Sequence, residues 1–324
     1  MATRRDLLTL AAGAVLLPSA FAGETRVLFG SPVELQLPAG APAAARDAVW
    51  RDLALLNTRW NAWKPGELVA LNAALAGGRP HAVAPDLAAL LRSAARLEQA
   101  SLGLFNPAAG GLVGAWGFHD DTLAPGALPR GRDLARWAEA RPSLAQLEWR
   151  GNVVRSRNPR VQLDLGAYAK GVAIDRAFAR LQRHGVHDAM LDLGGNLATL
   201  GTSAGRPWRV GIRDPHGAGF VAVVHTGPRE AVVTSGSYER WRLLDGERFT
   251  HILDPFTGRP ASEVVSVTVL HPSAALADAA ATALLVAGPA RWRRVAERLG
   301  VDQVLLIDRH GRRSMTDRMA ARLA

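Results

Sequence analysis

Hydrophobic and polar positions divide the chain into two stretches of different period. From residue 43 to 76 apolar side chains recur every three to four positions, as in "ARDAVWRDLALLNTRW", which predicts helix, with Pro65-Gly66 interrupting before "ELVALNAAL" resumes. A second helix is expected over 85–101. Residues 103–120, "GLFNPAAGGLVGAWGFHD", lose the period and collect glycine and aromatic residues, so they read as a loop with the side chains of a binding surface. A polar, proline-bearing connector with one short helix follows over 121–148.

Beyond residue 150 the period changes. Short β-like runs appear in "VVRS", "VQLDLG", "HDAMLDLGGNLATLG", "WRVGIRD", "VAVVHTG", "EAVVTSG", "RFTHILD", "VVSVTVLH" and "QVLLID", interrupted by two long helical stretches. "LDLG" occurs at 163–166 and again at 191–194, reading as a strand-helix-strand unit. The expectation is an α+β (mixed α/β) protein, with helices and a loop first and a sheet-rich part after.

The first residues stand apart. Arg4-Arg5, an apolar run over 7–17 and the small-residue ending Ala20-Phe21-Ala22 have the layout of an export signal, and Thr3-Arg4-Arg5-Asp6-Leu7-Leu8 resembles a twin-arginine motif. The run is shorter than the roughly 20 residues of a spanning helix. Residues 1–22 are therefore expected to be a cleaved signal, leaving residues 23–324 as one domain in the periplasm.

Composition narrows the chemistry. The chain has 324 residues, a formal charge of +10 and no cysteine, which excludes disulfides, thiolate metal sites and thiol nucleophiles. Its basic residues are scattered among acids, which argues against nucleic acid and for an anionic small molecule. Nearly all of them are arginine. Lysine occurs only at Lys64 and Lys170.

Lys170 lies in "VQLDLGAYAKGVAIDRAFARLQRHG", where a buried strand, a break at Gly166 and a helix with Ala173, Ala177 and Leu181 on one face are expected, ending at Gly185. Asp164 then ends the strand and Lys170 falls in the first helical turn. A cation there is unfavourable unless an anion joins it and the free N–H groups. The alternative is a capping aspartate and an exposed lysine. In "HPSAALADAAATALLVAG" Ser273 can cap a helix that Gly288-Pro289 stops, and Asp278 and Thr282 are its only polar side chains after the cap, four apart on one face. Two oxygen donors without imidazole or thiol suit a hard cation such as Mg²⁺. An aspartate paired with an arginine, beside a threonine bonded to its own helix, is equally open at this stage. The third stretch, "AVVTSGSYERW" with "THILDPFTGRPA", brings hydroxyls and His251 close along the chain, although a lone histidine is more often structural. Gly194-Gly195 allows a ligand close to the backbone.

Together these stretches resemble the ApbE family of FAD:protein FMN transferases. The similarity runs through Asp164–Gly171 ("DLGGIAKG" in the family), Gly194–Asn196, Thr234–Arg240 ("TSG-Y-R"), His251–Pro260 ("HIIDPRTGYP") and Ser266–Leu284, in the family's order, and extends upstream to "RWNAWKPGELVALN" and "FNPAAGGLVGAWGF". It implies an ApbE-like fold. It also implies a metal held by Asp278, Thr282 and the backbone carbonyl of Ala167; FAD contacts at Trp60, Trp116, Gly117, Phe118, Asp164, Lys170 and Ile252; and His251 as the catalytic histidine. The implied reaction is Mg²⁺-dependent transfer of FMN from FAD to a threonine of an acceptor flavoprotein in trans, a membrane-associated redox subunit, with AMP released. A metal-dependent FAD pyrophosphatase and a flavin-binding module without turnover are the alternatives. Trp60, Trp63, Pro65-Gly66, Asn106 and Thr250 depart from the family pattern at Met, Tyr, Asp-Ser, Asp and a second His, mostly around the pocket for the flavin ring.

Overall fold

The computed structural model describes residues 21–323. The expected export signal lies outside them, apart from Phe21 and Ala22. These two residues open a hairpin, β1 (Phe21–Leu28) and β2 (Ser31–Pro38), which the helical reading of the N-terminal part did not include. In β2 the alternation is plain, with Val33, Leu35 and Leu37 buried in the core.

Helices α1 (Ala43–Arg59), α2 (Glu67–Ala76) and α3 (Pro85–Ala100) follow, with the two-residue β3 (His81–Ala82) between the last two. The break between α1 and α2 begins earlier than Pro65, because Trp60 already ends α1. Inside the glycine-rich loop residues 110–115 form one short helix, α4 (Gly110–Ala115), and the connector holds α5 (Gly131–Ala140). Strands β4 (Leu147–Arg150) and β5 (Val153–Ser156) pair with β3 in a small sheet. Next come α6 (Ala169–Arg183), β6 (Ala189–Leu193), β7 (Asn196–Leu200), β8 (Arg209–Arg213), β9 (Phe220–His225) and β10 (Arg229–Gly236). The chain closes with β11 (Trp241–Leu244), β12 (Glu247–Thr250), β13 (Val264–His271), α7 (Ala274–Leu299), β14 (Val304–Asp308), β15 (Arg313–Met315) and α8 (Asp317–Leu323).

Eight strands form one antiparallel sheet in the order β1-β2-β6-β7-β10-β13-β14-β15. Helices α6 and α7 pack on one face, and the β8–β9 hairpin with α8 covers the other. Both faces of the central strands are therefore buried. Leu191 and Val269 enter the main core, while their neighbours Met190 and Leu270 enter the second. The expected α+β architecture is the one found.

Two expectations change. Residues 161–166 form no strand. Val161, Leu163 and Leu165 are buried as expected, but the backbone bonds to the loop at 107–110 and to a side chain: Asp164 N–H donates to the Pro107 carbonyl (2.8 Å), and both polar groups of Leu163 are taken by the amide of Asn72 (2.6 and 2.9 Å). One asparagine thus does what a neighbouring strand would do. Gly288-Pro289 breaks the helix without ending it: Gly288 adopts φ +70° and a second helical segment continues to Leu299.

Helices α6 and α7 meet at an unusually close junction. Asp175 on α6 accepts from the Ser273 hydroxyl and from the N–H groups of Ala274 and Ala275, so one helix caps the other. At Gly171 a β-carbon would lie 2.3 Å from the Ala274 carbonyl oxygen. Only glycine permits that approach.

Candidate active site

Five segments converge: the first turn of α6, the β6–β7 turn, the end of β10, the residues after β12, and the N-terminal part of α7. The close helix contact lets the Gly171 N–H reach Asp278 Oδ2 at 3.0 Å. Among the described residues the groups that act on the Asp278 carboxyl are Lys170, Asn196 and Gly171, none of them an arginine. Burial raises its carboxyl above the usual range, against the pull of Lys170, the Asn196 side chain and the Gly171 N–H. Four residues on, Thr282 Oγ1 lies 3.2 Å from Ser235 Oγ at the end of β10. The Asp278–Thr282 face is thus a buried carboxylate and a hydroxyl with oxygen neighbours, a donor set that fits a hard cation.

Lys170 occupies the second position of α6, as the sequence reading expected. Its Nζ lies 3.5 Å from the Gly194 carbonyl oxygen, so the β6–β7 turn receives the ammonium. The positive charge acts on four groups: Asp192, Glu239, Asp278 and His251. Asp192 is one of the residues here that motif reading missed. It caps the turn by accepting from the Gly195 N–H at 3.0 Å, and burial pushes it up to about 6, assisted by Glu34 and Glu239 and opposed by the Gly195 N–H and Lys170. Glu239 is likewise raised by burial, against Arg213 and Lys170. The signal for Asp192 was present in the second "LDLG", where an acid stands in a run otherwise wholly apolar.

His251 follows β12, and its backbone N–H and Nδ1 both meet the Arg240 carbonyl oxygen, at 3.1 and 2.9 Å. A carbonyl only accepts, so Nδ1 carries the proton and Nε2 holds the free lone pair. Burial pushes the imidazole down to about 4, and the charges of Arg240 and Lys170 act the same way against the Arg240 carbonyl and Asp164. It is neutral at pH 7. Beside it, Asp164 accepts from Gly166 N–H at 2.8 Å through Oδ1 and meets His119 Nε2 at 2.8 Å through Oδ2. Burial works to raise Asp164, but the His119 bond and charge, with Gly166 and Arg240, outweigh it and hold the carboxyl below its ordinary value.

The expected flavin contacts fall into two groups. Asp164, Lys170 and His251 interact electrostatically, and Phe118 stands edge-on to His251 with ring centroids 6.2 Å apart. Trp116 is buried and donates through Nε1 to the Gly258 carbonyl at 2.8 Å, tying the aromatic loop to the loop after His251. Gly117 has φ +72°, and a β-carbon there would meet the guanidinium of Arg242, which binds the Trp116 carbonyl. Ile252 is buried in the main core. Trp60 lies apart from the polar cluster, packed into the same core with Arg176 over its ring at 5.6 Å. Ala167, in the turn before α6, is partly buried against that core.

Comparison with known proteins now gives the geometry a lineage. A protein of Rhodobacter capsulatus named FAD:protein FMN transferase is 46% identical over 330 residues, covering 98% of this chain and 63% of its own. One of Treponema pallidum with the same name is 40% identical over 239 residues, covering 68% of this chain and 65% of its own. The chain therefore spans a little under two thirds of the length of these relatives. A solved structure of the flavin transferase ApbE from Vibrio cholerae aligns with a TM-score of 0.82 at 28% identity, over 94% of this chain and 100% of that one. The model of the ApbE family matches residues 29–305, and the chain belongs to the ApbE family.

Proposed function

We propose that the protein transfers the FMN moiety of FAD to a threonine hydroxyl of an acceptor flavoprotein, with Mg²⁺ bound and AMP released. The observation that carries this reading is a neutral imidazole with its Nε2 free, within the field of one lysine whose charge also acts on the carboxylate of a carboxylate–hydroxyl pair suited to a hard cation. The shared names of the relatives support it.

Asp278, Thr282 and the Ala167 carbonyl would hold the cation, which when bound neutralises charge on the pyrophosphate. Lys170, in the first turn of α6, holds a phosphate in place. The incoming hydroxyl gives its proton to His251 Nε2 as its oxygen forms a bond to the FMN-side phosphorus. The bond from that phosphorus to the bridging oxygen breaks, and AMP leaves with that oxygen. The negative pyrophosphate offsets Lys170 and Arg240, raising the imidazole's readiness to accept the proton at the moment it is needed. Asp164 and the Trp116-Gly117-Phe118 segment, with Trp60 and Ile252, line the flavin side. The acceptor is a redox subunit at the membrane, met in the periplasm after twin-arginine export.

The test is incubation of the full chain with FAD, Mg²⁺ and a threonine-bearing flavoprotein acceptor. Protein-bound FMN and AMP are expected in equal amounts. Rapid release of AMP and free FMN without acceptor would instead identify a pyrophosphatase, and FAD binding without either product a carrier.

A further inference from the structure

The site contains a second imidazole. His119 follows the Trp116-Gly117-Phe118 segment, and its Nε2 lies 2.8 Å from Asp164 Oδ2, with both side chains largely buried. The other carboxylate oxygen accepts from Gly166 N–H, so His119 decides how the plane of the carboxylate is turned about that anchor. The ring is itself held. It stacks on Trp63, centroids 5.2 Å apart and planes 18° from parallel, and it packs against α4, where a β-carbon on Gly114 would lie 3.1 Å from Nδ1.

We propose that His119 is a positioning residue, which turns the Asp164 carboxylate toward the bound FAD, and that the two imidazoles of the site have separate tasks, His251 exchanging the proton and His119 none. This rests on the FAD-transferase function proposed for the same site. The two rings are tied down through opposite nitrogens. His251 spends Nδ1–H on a carbonyl and keeps Nε2 free, whereas His119 spends Nε2–H on an ionised carboxylate, and its remaining nitrogen faces Gly114 on α4. A substrate hydroxyl has no approach to a nitrogen packed against a helix. Without the His119 donor, the cation still acting on Asp164 is Arg240, whose guanidinium lies over Trp63 at 5.7 Å. A carboxylate released by His119 would turn that way and leave the flavin.

Three variants of the full chain separate the hydrogen bond from the stack. His119→Gln keeps a donor near Nε2 and loses the aromatic ring, His119→Phe keeps the ring and loses the donor, and His119→Ala loses both. Flavin fluorescence titration should give FAD affinity within about threefold of the parent for His119→Gln, and ~10- to 100-fold weaker for the other two, as expected for a lost bond to a charged group. Turnover at saturating FAD should stay within about fivefold of the parent in all three, since none touches the transferred proton. Full affinity in His119→Phe would overturn the proposal in favour of a packing role, as would a loss in His119→Gln equal to that in His119→Ala. A hundredfold fall in turnover with unchanged affinity would make His119 the proton acceptor. If His119→Ala does not fold, the Gln–Phe pair decides alone. A parent protein that binds FAD without transferring FMN refutes the transferase function and leaves the affinity comparison standing.

Discussion

The Nδ1 of His251 lies 2.9 Å from the backbone carbonyl oxygen of Arg240, eleven residues earlier, across the base of the β11–β12 hairpin. The hairpin brings the two residues together and leaves Nε2 as the reactive nitrogen. With the imidazole pushed down to about 4, it is neutral above that pH and protonated below it. FMN transfer per free enzyme should therefore be flat between pH 6 and 9 and fall only as pH drops through about 4, without a midpoint near 6.5. His251→Ala should slow transfer about a hundredfold to ten-thousandfold with little change in FAD affinity. A pH-rate profile of kcat/KM and a proton NMR titration of the ring measure this. A midpoint near 6.5 would mean that the ring is solvated and its burial here irrelevant to function.

Asp278 is bonded to the Gly171 N–H across the contact between α6 and α7, so replacing its charge need not disturb the fold. Asp278→Asn can keep that bond through its amide oxygen. The variant should stay folded, lose at least a hundredfold in transfer, and lose the rise in melting temperature that Mg²⁺ gives the parent by binding only the native state. A Mg²⁺-induced rise equal to the parent's would remove Asp278 from the metal site.

Asp192 supplies a stability test that needs no ligand. Its carboxyl is raised to about 6 in the folded protein, above its unfolded value, so the native state favours the protonated form. Stability is then greatest at low pH on this group's account and is lost as pH rises from the unfolded value through about 6. Asp192→Asn should abolish that decline and stabilise the protein at pH 7.5 by about 1 to 3 kcal/mol. Chemical denaturation at pH 4.5, 6 and 7.5 gives the comparison. A stability difference between parent and Asp192→Asn that stays constant from pH 4.5 to 7.5 would show Asp192 ionised throughout and compensated by Lys170.

The helices, most strands and the chemistry-bearing motifs were legible along the chain because each depends on local information. The period of apolar positions, Ser273 as a cap, and Asp278 and Thr282 four apart on a helix face are short-range facts. Even the isolation of Lys170 among arginines was visible in composition. What the chain concealed were relationships between distant segments. Strand β2 alternates clearly, yet only its pairing with β6 makes the β1–β2 hairpin part of the main sheet. The extended run at 161–166 looks like a strand because burial alone sets its apolar alternation, whereas its bonding partners, a loop and the amide of Asn72, lie far away in sequence.

The same division holds in the site. Residue type and spacing singled out Asp164, Lys170, Asp278 and His251 as candidates, and the family resemblance implied their roles. The sequence could not mark Asp192, whose importance lies in capping a turn that receives a lysine from another element, or His119, which meets Asp164 only after 45 residues of intervening chain have folded. Nor could it set the protonation of His251. Residue type supplies an imidazole with an ordinary value near 6.5. The tertiary structure moves it to about 4, because desolvation and the summed charges of Arg240, Lys170 and Asp164 depend on distances that exist only once the segments have packed together.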